Sequence, residues 1–414
     1  MITRRALRHP AVTSASSLLF GAGLAACADP TQVCAPGAFA PIPVGTVPND
    51  VAFAECDGEP VLLVPASGDA RLDMFTVPCG ELRGSVLFPP EGAVPANPWA
   101  VAVDGERALV TLQGQGTVAL VDVCGARLLD TARPSQLLNL EPPLSLTVPE
   151  DADGDGTVES SVPRLLPRAP QALVAHDGVA FVGYTNLLEP GLAAAQPPVL
   201  GPGLLARFDV GADALVPEPT VVTLPCINPQ GITLGSEGTL WVSCSGPLGP
   251  SADASVVALG DGALIQVDQA TLEIRAVVDA GRLAPGTPAV LPEGIVVGSL
   301  LMPALATLSG SDLVSRAVSG NELESLFECA RADTRAGPRA LCTHFSGDRL
   351  LVVRAEDAGP VVEAELPVGP GGPVARGAQA LALAPDSARE RDVGAAVLLG
   401  LSAEVVLLPV EALP

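Results

Sequence analysis

The chain has 414 residues, 48% hydrophobic and 16% charged, with 22 basic against 46 acidic side chains and a formal net charge of −24. That apolar share excludes a disordered chain, and the acidity excludes recognition of DNA or RNA through phosphates. The 43 Gly and 42 Pro residues break long helices, which leaves a turn-rich, all-β chain with enough apolar surface for a large core.

The first 26 residues read as an export signal. Arg4, Arg5 and Arg8 form a basic start, and a stretch rich in apolar and small residues follows from Ala11 to Ala26. It is too short, and too rich in Ser, Gly and Ala, for a membrane span. Leu24-Ala25-Ala26-Cys27 resembles the lipobox of bacterial lipoproteins. The resemblance implies that Cys27 carries a lipid and begins the mature chain; the competing reading is an ordinary signal peptide cut after Ala-x-Ala. Ala28, where inner-membrane lipoproteins often carry a retaining Asp, favours the outer membrane. Residues 27–40 read as a lipid-anchored tether, and 41–414 as the folded body.

Within that body a phrase recurs: a Pro, two residues, an apolar strand, a turn with Asp, Gly or Ser, and a second apolar strand. It opens at Pro48, Pro98, Pro170, Pro229, Pro288 and Pro338, and a seventh time with Ala378 in place of Pro. The unit beginning at Pro98 shows four apolar runs, 99–103, 107–112, 117–123 and 127–131, broken at Gly114, Gly116 and Gly125. Such runs between turn residues are antiparallel strands, and a four-stranded unit repeated every ~40–60 residues is the signature of a β-propeller. The seventh unit lacks an outer strand, while the run 40–47 stands alone before the first. The expectation is therefore seven four-stranded blades, the last completed by the N-terminal strand; two stacked β-domains are the alternative.

Three insertions interrupt the repeat, at 132–168, 186–203 and 245–260. The first carries Asp151-Ala152-Asp153-Gly154-Asp155-Gly156-Thr157-Val158-Glu159. Carboxylates at positions 1, 3 and 5 with Gly at 6 resemble an EF-hand or dockerin calcium loop. Asp151, Asp153, Asp155, the Thr157 carbonyl and Glu159 are the candidate ligands of a weak structural calcium site. Val162 replaces the usual Glu at position 12, and a solvated acidic linker is the competing reading.

Nine cysteines remain to be placed. With Cys27 lipidated, eight are left, and none stand at Cys-x-x-Cys spacing, so disulfides are expected after export. Cys226 precedes the first strand of the fourth unit and Cys244 ends its second, which sets them opposite one another. Cys329 and Cys342 form a second local candidate pair. Cys56 with Cys79, both in turns of one unit, is the remaining guess, and Cys34 and Cys124 are unassigned.

The phrases resemble the YVTN, NHL and SMP-30-like propeller families. Pro229-Gln230-Gly231-Ile232 followed by Gly238-Thr239-Leu240-Trp241-Val242 is close to the NHL pattern. SMP-30-like lactonases hold a divalent metal at the channel mouth with carboxylates and Asn. The resemblance therefore makes Asn49, Asp50, Asn97 and Asn228 an alternative channel site, against the reading that they cap turns before strands. No inner-strand Glu is found to complete that pattern. His176 adjoins a turn, and His344 is placed on an inner strand; both read as structural. Trp99 and Trp241 read as packing between blades. No nucleophile elbow, zinc-protease motif or nucleotide loop stands in a fitting context.

The expectation is an envelope-anchored lipoprotein whose propeller is a non-enzymatic binding or scaffold module. Its partners would be the membrane, through the anchor, and an unidentified protein or glycan. The alternative is a propeller hydrolase or lyase with a metal in its channel.

Overall fold

A computed structural model describes residues 40–134, 138–139, 164–165, 168–189, 199–250, 256–318, 325–368 and 375–413. Seven antiparallel four-stranded sheets succeed one another along the chain. Blade 1 has strands Ala52–Cys56, Glu59–Ala66, Arg71–Thr76 and Leu82–Leu87. Blade 2 has Pro98–Asp104, Arg107–Leu112, Thr117–Asp122 and Arg127–Ala132. Blade 3 has Pro170–His176, Val179–Tyr184, Leu204–Val210 and Leu215–Thr223, and blade 4 has Pro229–Leu234, Thr239–Cys244, Gly262–Asp268 and Ile274–Gly281. Blade 5 has Ala289–Leu291, Gly294–Gly298, Ala304–Ser309 and Asp312–Ala317, and blade 6 has Cys329–Thr334, Gly337–His344, Arg349–Arg354 and Val361–Pro367. Blade 7 takes Ala378–Leu383, Val393–Leu399 and Glu404–Pro409 from the C-terminal end of the chain and Ile42–Pro43 from its N-terminal part.

Burial explains why the strands read as they do. Second and third strands are covered on both faces: Val393–Leu399 is buried throughout, and Glu59–Ala66 is buried after its first residue. They appear in sequence as unbroken apolar runs. Outer strands such as Val361–Pro367 alternate half-buried and exposed positions. Seven clusters of buried side chains result, one between each pair of neighbouring blades. They are built mainly from Ala, Val and Leu, as an aromatic share of 3% requires. This is a seven-bladed β-propeller.

The sixth phrase differs from the sequence expectation. Pro338-Arg339-Ala340-Leu341 belongs to the second strand of blade 6, and the inner strand is Cys329–Thr334. His344 therefore ends a second strand rather than lying on an inner one. It is buried and accepts the Gly347 N–H on Nδ1 at 3.0 Å.

Closure follows the expected route. Ile42 pairs with Val405 and Pro43 with Glu404, antiparallel, and the Val44 N–H donates to the Ala403 carbonyl at 3.0 Å. Ile42 packs where a side chain on Gly80 would stand, in the turn between the third and outer strands of blade 1. Four residues later Thr46 donates its N–H and hydroxyl to Asp69, at 2.8 and 2.9 Å, in the turn between the second and third strands. These turns lie on opposite faces of the ring. Residues 42–46 thus hold both of these turns of blade 1 from the seam with blade 7.

The three insertions leave the ring on one face. The first joins an outer strand to the next inner strand, and the other two join second to third strands in blades 3 and 4. In an antiparallel blade both kinds of connection lie on the face where inner strands begin. Each insertion includes a two-stranded ribbon: 138–139 with 164–165, 187–189 with 199–200, and 248–250 with 256–258. The proposed calcium ligands, residues 151–159, lie outside the described residues.

Two cysteine pairs form as expected, Cys226–Cys244 and Cys329–Cys342. The Cys56–Cys79 guess is wrong: Cys56 bonds Cys124. Cys56 ends the inner strand of blade 1, and Cys124 sits in the turn between the third and outer strands of blade 2, so ring curvature juxtaposes them. Cys79 is itself disulfide-bonded. Cys27 and Cys34 lie outside the described residues. No described helix is long and apolar enough to cross a membrane.

Candidate functional site

The starts of the seven inner strands surround an axial cavity of about 230 Å³. A local irregularity aims side chains into it. In blades 2, 3, 4 and 7 the register between inner and second strands slips just after the first residue, at Pro98, Pro170, Pro229 and Ala378. A bulge of this kind re-aims the extra side chain, and here it turns Trp99, Gln171, Gln230 and Gln379 toward the axis, where they line the cavity. Asn49, Gly286 and Phe327 line it from the other three blades.

The amides of this rim tie neighbouring blades together. Gln230 Nε2 donates to Gln171 Oε1 at 3.0 Å and Gln379 Nε2 to the Asn49 carbonyl at 3.2 Å. Asn49 Nδ2 donates to the Pro98 carbonyl at 3.2 Å. Phe327 is fixed from behind by Phe345, with ring centroids 5.0 Å apart.

One residue further along each blade, the lining changes character. The side chains are Asp50, Ala100, Ala172, Gly231, Thr287, Glu328 and Ala380. Five are small, which is why a cavity exists at all. Gly231 is required by close approach, since a Cβ there would stand 2.5 Å from the Thr287 Cα. The other two are acids, from blades 1 and 6.

Asp50 and Glu328 are held alike. Asp50 Oδ1 accepts the Val51 N–H and Oδ2 accepts the Val101 N–H of blade 2, both at 2.8 Å. Glu328 Oε2 accepts the Leu381 N–H of blade 7 at 2.9 Å, and Glu328 donates its own N–H to Thr343 Oγ1 at 3.1 Å. Each carboxylate thus caps the inner strand of the following blade. Enclosure by the seven inner strands raises both carboxyl pKa values well above the ordinary range, and the charge of Asp50 raises Glu328 further. Among the described residues no other ionisable side chain lines the cavity.

The sequence candidates divide at this point. Asn49 and Asp50 line the cavity; Asn97 and Asn228 do not. Both of the latter adopt left-handed backbone, φ 51° and 62°, just before an inner strand. Their amides bond to Gln113 Oε1 at 2.5 Å and to Ser245 Oγ at 2.7 Å, within their own blades. Val47, Ala169, Ala284 and Gly377 take the same backbone conformation at the equivalent position of four other blades. Asn97 and Asn228 therefore serve a repeated turn, and the four nominated residues do not converge on a metal. The groups that could hold a cation are Asp50 and Glu328. Elsewhere among the described residues, Cys56, Asp57 and Cys124 gather as ligands would, but the sulfurs are spent in a disulfide.

Of the two tryptophans, Trp241 packs between blades 4 and 5 as expected, whereas Trp99 lines the channel. Glu328, Phe327 and the three glutamines are the site residues that sequence reading missed. The glutamines had a signal: Gln follows the opening residue in three of the seven phrases. Glu328 had none, because the sixth phrase was placed one strand too late.

No protein family matches the chain by sequence, and no curated protein matches it. Solved structures do. A streptogramin B lyase is 9% identical with a TM-score of 0.54, over 89% of this chain and 96% of that one. A Kuenenia stuttgartiensis hydrazine synthase chain is 11% identical with a TM-score of 0.57, over 88% and 95%. A chain of a mitotic checkpoint complex is 10% identical with a TM-score of 0.57, over 99% of each. At such identities the likeness concerns the fold alone.

Proposed function

We propose that the chain is a lipid-anchored protein of the bacterial envelope whose propeller is a non-enzymatic binding module, with the channel mouth as its ligand site. The observation that carries this reading is the convergence of all seven blades on one cavity rimmed by recognition groups. Asn49, Gln171, Gln230 and Gln379 offer donors and acceptors, and Trp99 and Phe327 offer apolar faces. All three insertions leave the ring on this same face, where loops would extend a binding surface. Anchoring is supported by the basic start, the apolar stretch and Leu24-Ala25-Ala26-Cys27.

Two experiments test the reading. A clickable fatty acid should label the protein and leave Cys27→Ser unlabelled; equal labelling of both, or of neither, removes the anchor. A thermal-shift screen of glycans, peptides and small polar molecules should give hits that Gln171→Ala with Gln230→Ala abolishes. Hits that shift this variant as much as the wild type would place binding elsewhere.

The second reading is a hydrolase or lyase with a divalent metal in the channel. It is favoured by Asp50 and Glu328 facing one cavity. Metal-dependent turnover of an ester or lactone panel, lost in Asp50→Asn, would replace the first reading with this one.

A further inference from the structure

Building on the channel mouth as a ligand site, we propose that its ligand is a small organic cation whose ammonium or guanidinium group sits between the Asp50 and Glu328 carboxylates. Three observations lead there. First, among the described residues these acids are the only ionisable side chains lining the cavity, and no described cation lines it beside them. Two like charges in one enclosed space cost folding energy. The strand-capping role does not demand an acid, because at the junction of blades 5 and 6 the Thr287 carbonyl accepts the corresponding Cys329 N–H at 3.0 Å.

Second, an aromatic ring accompanies each carboxylate. Phe327 directly precedes Glu328, and Trp99 stands two residues before Val101, whose N–H Asp50 accepts. Rings beside carboxylates suit an organic cation, which gains from the π face as well as from the charge. Leu300 adds an apolar wall for a carbon body.

Third, the space fits a molecule better than a bare ion. A volume of about 230 Å³ is roughly that of seven waters at ~30 Å³ each. A calcium ion would need about six to eight oxygen ligands at ~2.3–2.6 Å. Apart from Thr287, the remaining side chains at the depth of the acids are Ala and Gly, which supply room and no ligands.

Binding would draw both carboxyls into their charged form. Whatever proton either acid holds in the empty site leaves to solvent as the cation enters. Affinity should therefore rise with pH across the elevated range of these two groups, which share the cavity with no other titratable side chain among the described residues.

The test is titration calorimetry on the full protein with agmatine, butylamine and choline. Butanol serves as the neutral control, and calcium and magnesium chloride as the metal arms. At least one amine should bind while butanol does not. Asp50→Asn and Glu328→Gln should each weaken it by about tenfold or more. Each amide keeps one oxygen for the N–H of the following blade, while Asp50→Asn gives up the bond from the Val51 N–H. Circular dichroism with the melting temperature verifies that each variant is folded before it is titrated. Trp99→Leu should weaken it with no change of charge. Affinity should rise between about pH 5 and about pH 8, with proton release measured in buffers of different ionisation heat. The inference is overturned if no amine binds the folded protein at millimolar concentration, if butanol binds equally, or if the acid variants bind as wild type does. Calcium or magnesium binding that depends on the two acids, without amine binding, also overturns it and supports the metal reading. A neutral ligand lost in Gln171→Ala with Gln230→Ala, without amine binding, overturns this inference alone. Failure of every ligand to depend on any mouth residue overturns the broader reading as well.

Discussion

Replacing Cys56 and Cys124 together by alanine should destabilise the protein more than removing the local Cys226–Cys244 bridge. The two cysteines are 68 residues apart and join blade 1 to blade 2, whereas the Cys226–Cys244 and Cys329–Cys342 bridges span 18 and 13 residues. In the chain-entropy account, closing the long loop is worth about 4 kcal/mol at 25 °C, against about 3 kcal/mol for each short one. Each buried sulfur removed adds a packing loss of about 1 kcal/mol: one for Cys56 and one for Cys244, whose partners are half-buried, but two for Cys329 with Cys342, so the like-for-like comparison is with the Cys226–Cys244 bridge. The ordering should appear in denaturant unfolding without reductant, followed by the fluorescence of Trp99 and Trp241 in blades 2 and 4. Reductant should then cost the double variant less than it costs the wild type. A loss no greater than that of Cys226→Ala with Cys244→Ala would refute the reasoning, since the bridge would then add no constraint between blades.

Three further outcomes are expected. Ile42→Ala should cost about 2–4 kcal/mol, because Ile42 is buried between blades 7 and 1, whereas Leu82→Ala on the exposed outer strand of blade 1 should stay within about 0.5 kcal/mol; equal effects in denaturant unfolding would deny the N-terminal strand its closing role. Asp50 and Glu328 hold their protons more tightly when folded, so their stabilising contribution is complete below the ordinary carboxyl range and is lost as pH rises through the elevated one. Asp268, pulled down to about 2 chiefly by the Thr271 N–H, acts in the opposite sense, so the diagnostic is the difference in melting temperature against pH between wild type and Asp50→Asn with Glu328→Gln; parallel curves would rule out the pair as its source. Millimolar calcium should give heat in calorimetry that Asp153→Ala with Asp155→Ala abolishes, and silence from the folded wild type would dismiss the loop as a site.

The propeller was legible because burial on both faces turns second and third strands into continuous apolar runs, and turn residues punctuate them. Closure was legible for the same reason, as the seventh unit lacked an edge and residues 40–47 lacked a partner. The inner strand of blade 6 was not. Cys-Ala-Arg-Ala-Asp-Thr alternates small with charged residues, carries no apolar run and opens without proline, so the pattern points to Pro338 as the start of the blade and leaves Glu328 in an apparent loop. The Cys56–Cys124 bridge was hidden for a different reason. Hairpin register relates residues within one blade, while this pair depends on how one blade lies beside the next. The bulges that swing Trp99 and the glutamines toward the axis are likewise tertiary, set by packing around a shared hub.

Pairing of Ile42–Pro43 with Glu404–Pro409 makes the seam of the ring a joint between segments about 360 residues apart in sequence. Blade 7 is the one blade of the seven that its own stretch of chain does not complete. The backbone hydrogen bonds at that joint act as a clasp. Only with the clasp shut does Gln379 of blade 7 meet the Asn49 carbonyl of blade 1, so the cavity wall is whole only in a fully closed ring.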